Sequence, residues 1–211
     1  MAYASAPGDL ALHGARVLGF ATTSRIATRY GLDVDLVDEA LVDFEATGWV
    51  RHLSFAGSAG WSLTDTGRAG NEKRLAAELD RAGARDTVTR VHAAFLPLNH
   101  RFGQACTDWQ LRPTRFDPMA FNDHTDWRWD DRVLRTLTSV GTSFGHLSDR
   151  LAGALTRFGC YAGLYASALR QVAAGQRGWV DAHDRDSLHL VWIQFHEDLL
   201  ATLGIPRGSD A

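Results

Sequence analysis

The run Asn122-Asp123-His124-Thr125-Asp126 sets four ligand-type side chains in five positions, and His189 and His196 stand seven apart just before Glu197 and Asp198. Such groups can hold a metal or relay a proton, so their spacing decides between these and blander roles. Two histidines seven apart share a helix face but lie two turns, about 10 Å, from each other, too far for one ion. HExxH, a phosphate-binding glycine loop and a zinc signature are all absent. A metal site would need Asp123 or His124 brought to these histidines by folding. The Asn122–Asp126 run is expected to make turns and helix caps, and the histidines to be structural or to line a pocket. No metal or cofactor is expected. A Cys-His or His-Asp dyad assembled from distant segments stays open, so enzyme chemistry is not excluded.

A second constellation repeats every seven residues. Val88, Phe95, Phe102 and Trp109 form one register, and His92, Asn99 and Cys106 form another between them. This alternating three-four spacing is a coiled-coil-like seam with one apolar and one polar register. Polar residues there can fix the pairing of helices. Alternatively they line a pocket for a small apolar or aromatic molecule, with Phe95, Phe102 and Trp109 as wall and Asn99 and Gln110 as orienting groups. His92, Trp192 and His196 complete that candidate set.

The elements that would carry these residues are mostly helices. Residues 1–9 are expected to be a frayed arm, and Leu10–Phe20 a first helix. Thr22, Thr23 or Ser24 can cap a second helix through Tyr30, which Gly31 ends. Asp33 can cap a third over Val34–Thr47, whose stripe Val37, Ala40, Leu41 and Phe44 has helical spacing. Trp49–Phe55 and Trp61–Leu63 read as two strands joined by the small-residue turn Ala56–Gly60, and Thr64 caps the next helix. Helices follow over 71–82, 84–111 with Pro97 inside, 127–158, 161–174 and 187–203, with a loop at 112–126. The fold class is therefore mainly α with a small two-stranded β-wing, divided into residues 10–70 and a helical part, 71–204.

The positions Ile26-Ala27, Gly31-Leu32, Val37, Leu41, Phe44-Glu45 and Gly48-Trp49-Val50 resemble the winged helix-turn-helix of bacterial transcriptional regulators. Leu63-Thr64-Asp65-Thr66-Gly67-Arg68 resembles the LTxxGR that follows the wing in MarR-type members. The resemblance covers about a third of the chain. It implies an N-terminal DNA-binding module, a C-terminal helical part for dimerisation and ligand sensing, and a cytoplasmic homodimer. Its partners would be double-stranded DNA and a small apolar or aromatic effector. Arg25, Thr28, Arg29, Asp35, Asp38, Arg51 and Arg68 are the candidate DNA contacts. The Asp-x-Arg of the MarR wing is missing here.

Charge pulls the other way. The chain carries a net −3, and its first 70 residues hold five arginines against eight carboxylates. The third helix, which should enter the groove, offers Asp35, Asp38, Glu39 and Asp43, and no Lys or Arg occurs from Val34 to Val50. One carboxylate can accept a hydrogen bond from cytosine, but four beside a polyanion are a penalty. A second use therefore stays open: a degenerate winged helix serving protein contact or small-molecule binding. No signal peptide is expected from MAYASAPGDLALHG, and the two cysteines, without CxxC spacing, fit a reducing compartment. No apolar run reaches the length of a membrane span.

Overall fold

Local signals place the first three helices. Pro7, whose fixed φ suits the first helical position, opens α1 (Pro7–Leu18), three residues before the expected start. Thr22 accepts the Arg25 N–H and so caps α2 (Thr23–Tyr30), which stops where Gly31 takes φ 64°. The Asp33 carboxylate accepts the N–H groups of Asp35 and Leu36 and starts α3 (Val34–Ala46). The computed structural model describes residues 1–55 and 57–209.

The hairpin follows as β1 (Val50–Phe55) and β2 (Ser58–Leu63), antiparallel, with Val50 opposite Leu63 and His52 opposite Trp61. Its turn is tighter than the expected Ala56–Gly60, because Ser58, Ala59 and Gly60 already pair with β1. Ala56 itself lies outside the described residues. Thr64 caps Gly67 and opens α4 (Asp65–Arg81), a single helix where two segments were expected. The rest is helical: α5 (Arg85–Gln110) running through Pro97, α6 (Trp127–Ala152), α7 (Cys160–Ala173) and α8 (Leu188–Leu203), with short 3-10 turns at Thr156–Gly159 and Arg177–Trp179. The protein is thus mainly α with one two-stranded antiparallel sheet.

The chain forms two units. The first comprises Met1–Thr89, Leu151–Cys160 and the residues from 194 on; the second comprises Arg90–Arg150 and Tyr161–Ile193. In the first, Leu12, Ile26, Val37, Leu41, Val50 and Trp61 close one apolar core. Each fully buried aliphatic side chain of this kind stabilises the fold by about 1.5–3 kcal/mol. Two close approaches need glycine. A Cβ on Gly14 would stand 2.7 Å from Ile26, and one on Gly67 1.9 Å from the Trp49 carbonyl oxygen, which is how α4 comes down against the start of the hairpin. The N-terminal arm is not frayed. Tyr3 bridges to Leu155, its N–H donating to Ala154 at 2.8 Å and its carbonyl accepting from Thr156 at 3.0 Å.

In the second unit the core is built around Trp192. Phe102 stacks on it at 4.2 Å and 7°, Phe95 at 4.9 Å and Phe144 at 5.1 Å. Tyr165 donates its hydroxyl to the Leu137 carbonyl at 3.0 Å, and its ring occupies the space that a side chain at Gly141 would need.

Candidate functional site

The candidate DNA contacts lie on α2, α3, the hairpin and α4, and the structure treats them unequally. Thr28 and Arg51 are exposed and Arg25 is half-buried. Arg29 is turned inward, 9% exposed, and its Nη2 donates to Gln194 Oε1 at 2.6 Å. Arg68 reaches Glu197 at 3.3 Å. Asp38 accepts a hydrogen bond from Thr23, whose hydroxyl in turn accepts the Trp61 indole N–H; this chain ties α3, α2 and β2 together. Asp35, Glu39 and Asp43 face solvent. Between these acids the helix exposes large apolar side chains: Leu36 is 47% and Val42 51% exposed, with Val34 close behind. The outer face of α3 is therefore acidic and apolar at once, with no basic residue on the helix.

Beneath these helices the first unit holds a layer of buried charges that sequence spacing did not single out. Arg157 donates to Glu78 Oε2 at 2.9 Å and to Thr202 Oγ1 at 2.6 Å, and its Nε stands 3.5 Å from Asp198. His13 Nε2 lies 3.0 Å from the same Asp198 oxygen, off the line of a hydrogen bond. Arg16 binds Glu197 at 2.9 Å and Glu72 at 3.0 Å. Ser5 donates a hydrogen bond to Glu78. Burial pushes the Glu197 carboxyl up, but the hydrogen bond and charge of Arg16, with Arg207 and Arg68, outweigh it and hold the group below the usual range. Burial raises the Tyr30 hydroxyl, with Asp198 adding to the shift, and also raises the Cys160 thiol. Neither ionises near neutrality, so this layer carries no activated nucleophile. Through these ion pairs the layer links the end of α8 and the Leu151–Cys160 segment to α1 and α4.

The eight candidate ligand residues are divided between the two units. His196 belongs to the first unit and is half-buried; the other seven belong to the second. Asn99, Phe95, Phe102 and Trp192 meet, but they fill the space themselves. The rings stack face to face on Trp192, and its indole N–H donates to Asn99 Oδ1 at 2.8 Å. Asn99 thus satisfies a buried indole. His92 is buried, and Gln110 donates to Asp181 at 3.1 Å. Burial, with Asp181 behind it, pushes the Cys106 thiol up to about 12. Burial and neighbouring His183 lower the His189 imidazole.

Trp109 packs instead against His124, ring to ring at 4.4 Å. Here the Asn122–Asp126 run exceeds the turn it was expected to be. Asp123 and Asp126 do cap the backbone, accepting from Thr125 and Arg128. His124, however, directs Nδ1 to Asp130 at 3.0 Å, while buried Asn122 donates to Asp130 at 2.9 Å and to the Trp109 carbonyl at 3.0 Å. Among the described residues His124 is the one non-glycine at positive φ, 58°, a conformation a histidine adopts uncommonly. Only the His-x5-Asp spacing of His124 and Asp130, across a helix start, could have hinted at the pair. Among the described residues no group of three or more His, Cys, Asp or Glu stands close enough to share a metal ion, and no helix is long and apolar enough to cross a membrane. No family model, no curated protein and no solved structure matches this chain.

Proposed function

We propose that the first unit is a winged-helix module used for protein contact, its α3 face docking a basic segment of another polypeptide. One observation carries this reading: α3 exposes Leu36 and Val42 among Asp35, Glu39 and Asp43 and bears no cation. Apolar anchors ringed by one sign of charge suit a partner with complementary apolar and basic side chains. The same face repels phosphate, and Arg29, a natural phosphate contact on α2, is committed to Gln194.

A second reading keeps the resemblance to MarR-type regulators, a dimer that holds duplex DNA and responds to a small effector. Exposed Thr28 and Arg51, with Arg25 beside them, favour it, since α2 and the wing could supply phosphate contacts without α3. One experiment separates the two. A photo-crosslinking residue placed at Leu36 in the full chain reports what covers α3 in cells, and a titration of the purified chain with mixed duplexes at about 50 mM salt reports DNA affinity. Docking predicts a polypeptide adduct that disappears in Glu39→Lys/Asp43→Lys and no saturable duplex binding. Saturable, salt-dependent duplex binding without a polypeptide adduct overturns it in favour of the second reading.

A further inference from the structure

The second unit carries a groove that neither reading uses. Between α5 and α6 a depression of about 280 Å³ is floored by Ala105 and Val133, both buried, and rimmed by Arg101, Gln104 and Asp108 on one helix and Arg132 on the other. The α5 members recur at helical spacing and so share one face. Ala105 leaves the floor open where a larger residue would fill it.

Electrostatics gives the groove its sign. Most arginines with described partners in this chain face a carboxylate: Arg16, Arg74, Arg112, Arg135, Arg157 and Arg185 are examples. Arg101 and Arg132 have no carboxylate partner among the described residues. Arg132 is held in place by the Trp129 ring, its guanidinium carbon 4.2 Å from the centroid, so its donors are fixed without being used up. Trp129 is itself anchored, its indole N–H donating to the Asp108 carbonyl at 2.6 Å. The one carboxylate at the rim, Asp108, already accepts from Gln104 Nε2 at 2.8 Å. Two guanidiniums against one occupied carboxylate leave net positive charge over an apolar floor.

We propose that this groove binds a small organic oxyanion, a carboxylate or phosphate group held by Arg101 and Arg132 with its hydrocarbon body on Ala105 and Val133. Guanidinium forks match the planar oxygens of either group, and the volume suits a molecule of about ten heavy atoms, at the small end of ligand pockets. The proposal is independent of what α3 contacts.

The test is a titration of the full chain, followed by amide NMR shifts, with benzoate, inorganic phosphate and chloride at matched ionic strength. Saturable shifts centred on Gln104, Ala105 and Val133 with benzoate or phosphate, and none with chloride, are expected. Arg101→Gln and Arg132→Gln should each weaken binding about tenfold, as the loss of one charge-assisted contact implies, and the pair should abolish it. Both positions are exposed, so an unchanged spectrum elsewhere shows that the variants fold. Shifts that never saturate, that chloride reproduces, or that survive the double variant overturn the proposal. A stronger response to benzoate than to phosphate marks the ligand as an organic acid.

Discussion

Arg29 lies one helical turn from Arg25 on α2, yet its guanidinium points into the protein and donates to Gln194 Oε1, 165 positions away in sequence. That single contact separates two arginines which look alike in the sequence. Arg29→Ala should therefore cost stability, about 1.5–3 kcal/mol for a buried charge-assisted hydrogen bond, read as a lower urea midpoint. It should leave partner or duplex binding at α2 unchanged under conditions where the variant is folded.

Charge reversal on α3 should act in the opposite way. Glu39 and Asp43 face solvent, so Glu39→Lys/Asp43→Lys should alter stability by no more than about 0.5 kcal/mol per site. The same change should eliminate the polypeptide adduct formed at Leu36. An adduct that survives unchanged would mean that charge does not select the partner.

The buried layer should be the most sensitive place in the first unit. Arg157→Met removes the cation between Glu78 and Asp198 and strands both carboxylates away from water. Such an uncompensated loss costs about 3–5 kcal/mol. Chemical denaturation of the full chain would check it, with Arg135→Met, a pair exposed on α6, as the near-neutral comparison.

Acid should weaken the protein in two separable steps. His189 has a lowered pKa, so the unfolded chain binds its proton more readily than the folded one, and stability falls as the pH drops below the ordinary imidazole value of 6.5. Glu197 is depressed, so its contribution is present above the ordinary carboxyl value of 4.5 and is lost as the pH falls through the folded value. In urea midpoints measured from pH 7.5 downward, His189→Gln should flatten the first step and Glu197→Gln the second.

The junction of hairpin and α4 should tolerate no side chain at Gly67. A Cβ there would meet the Trp49 carbonyl oxygen at 1.9 Å, and backbone cannot swing aside as a side chain can. Gly67→Ala should lower the thermal midpoint markedly, whereas Gly103→Ala, with open space around it, should leave it unchanged or raise it slightly.

What could be read in the chain divides along sequence distance. The limits of α2 and α3 were legible because Thr22, Gly31 and Asp33 act on their immediate neighbours. The two hairpin strands are legible too, but their turn is shorter than the small-residue run Ala56–Gly60 suggests, because Ser58–Gly60 pair with β1. Heptad spacing correctly placed Phe95, Asn99 and Phe102 on one inward face, but no spacing could reveal that Trp192 fills the gap between them. Arg16 and Glu197 meet across 181 positions, and neither carries a local signature of that contact. Arg29 is a case of the same kind: its periodicity allows either direction, and Gln194 decides it.

The first unit also has a consequence for how the protein is made. Its hairpin, α3 and apolar core are synthesised early, yet the residues that close the charged layer, Arg157 and Gln194 through Thr202, come from two later stretches. A chain emerging from the ribosome must therefore hold Arg16, Arg29 and Glu78 in water until α8 has cleared the exit tunnel. Nascent-chain proteolysis should find α1 and α4, which carry Arg16 and Glu78, vulnerable until then, with their protection arriving as a late step.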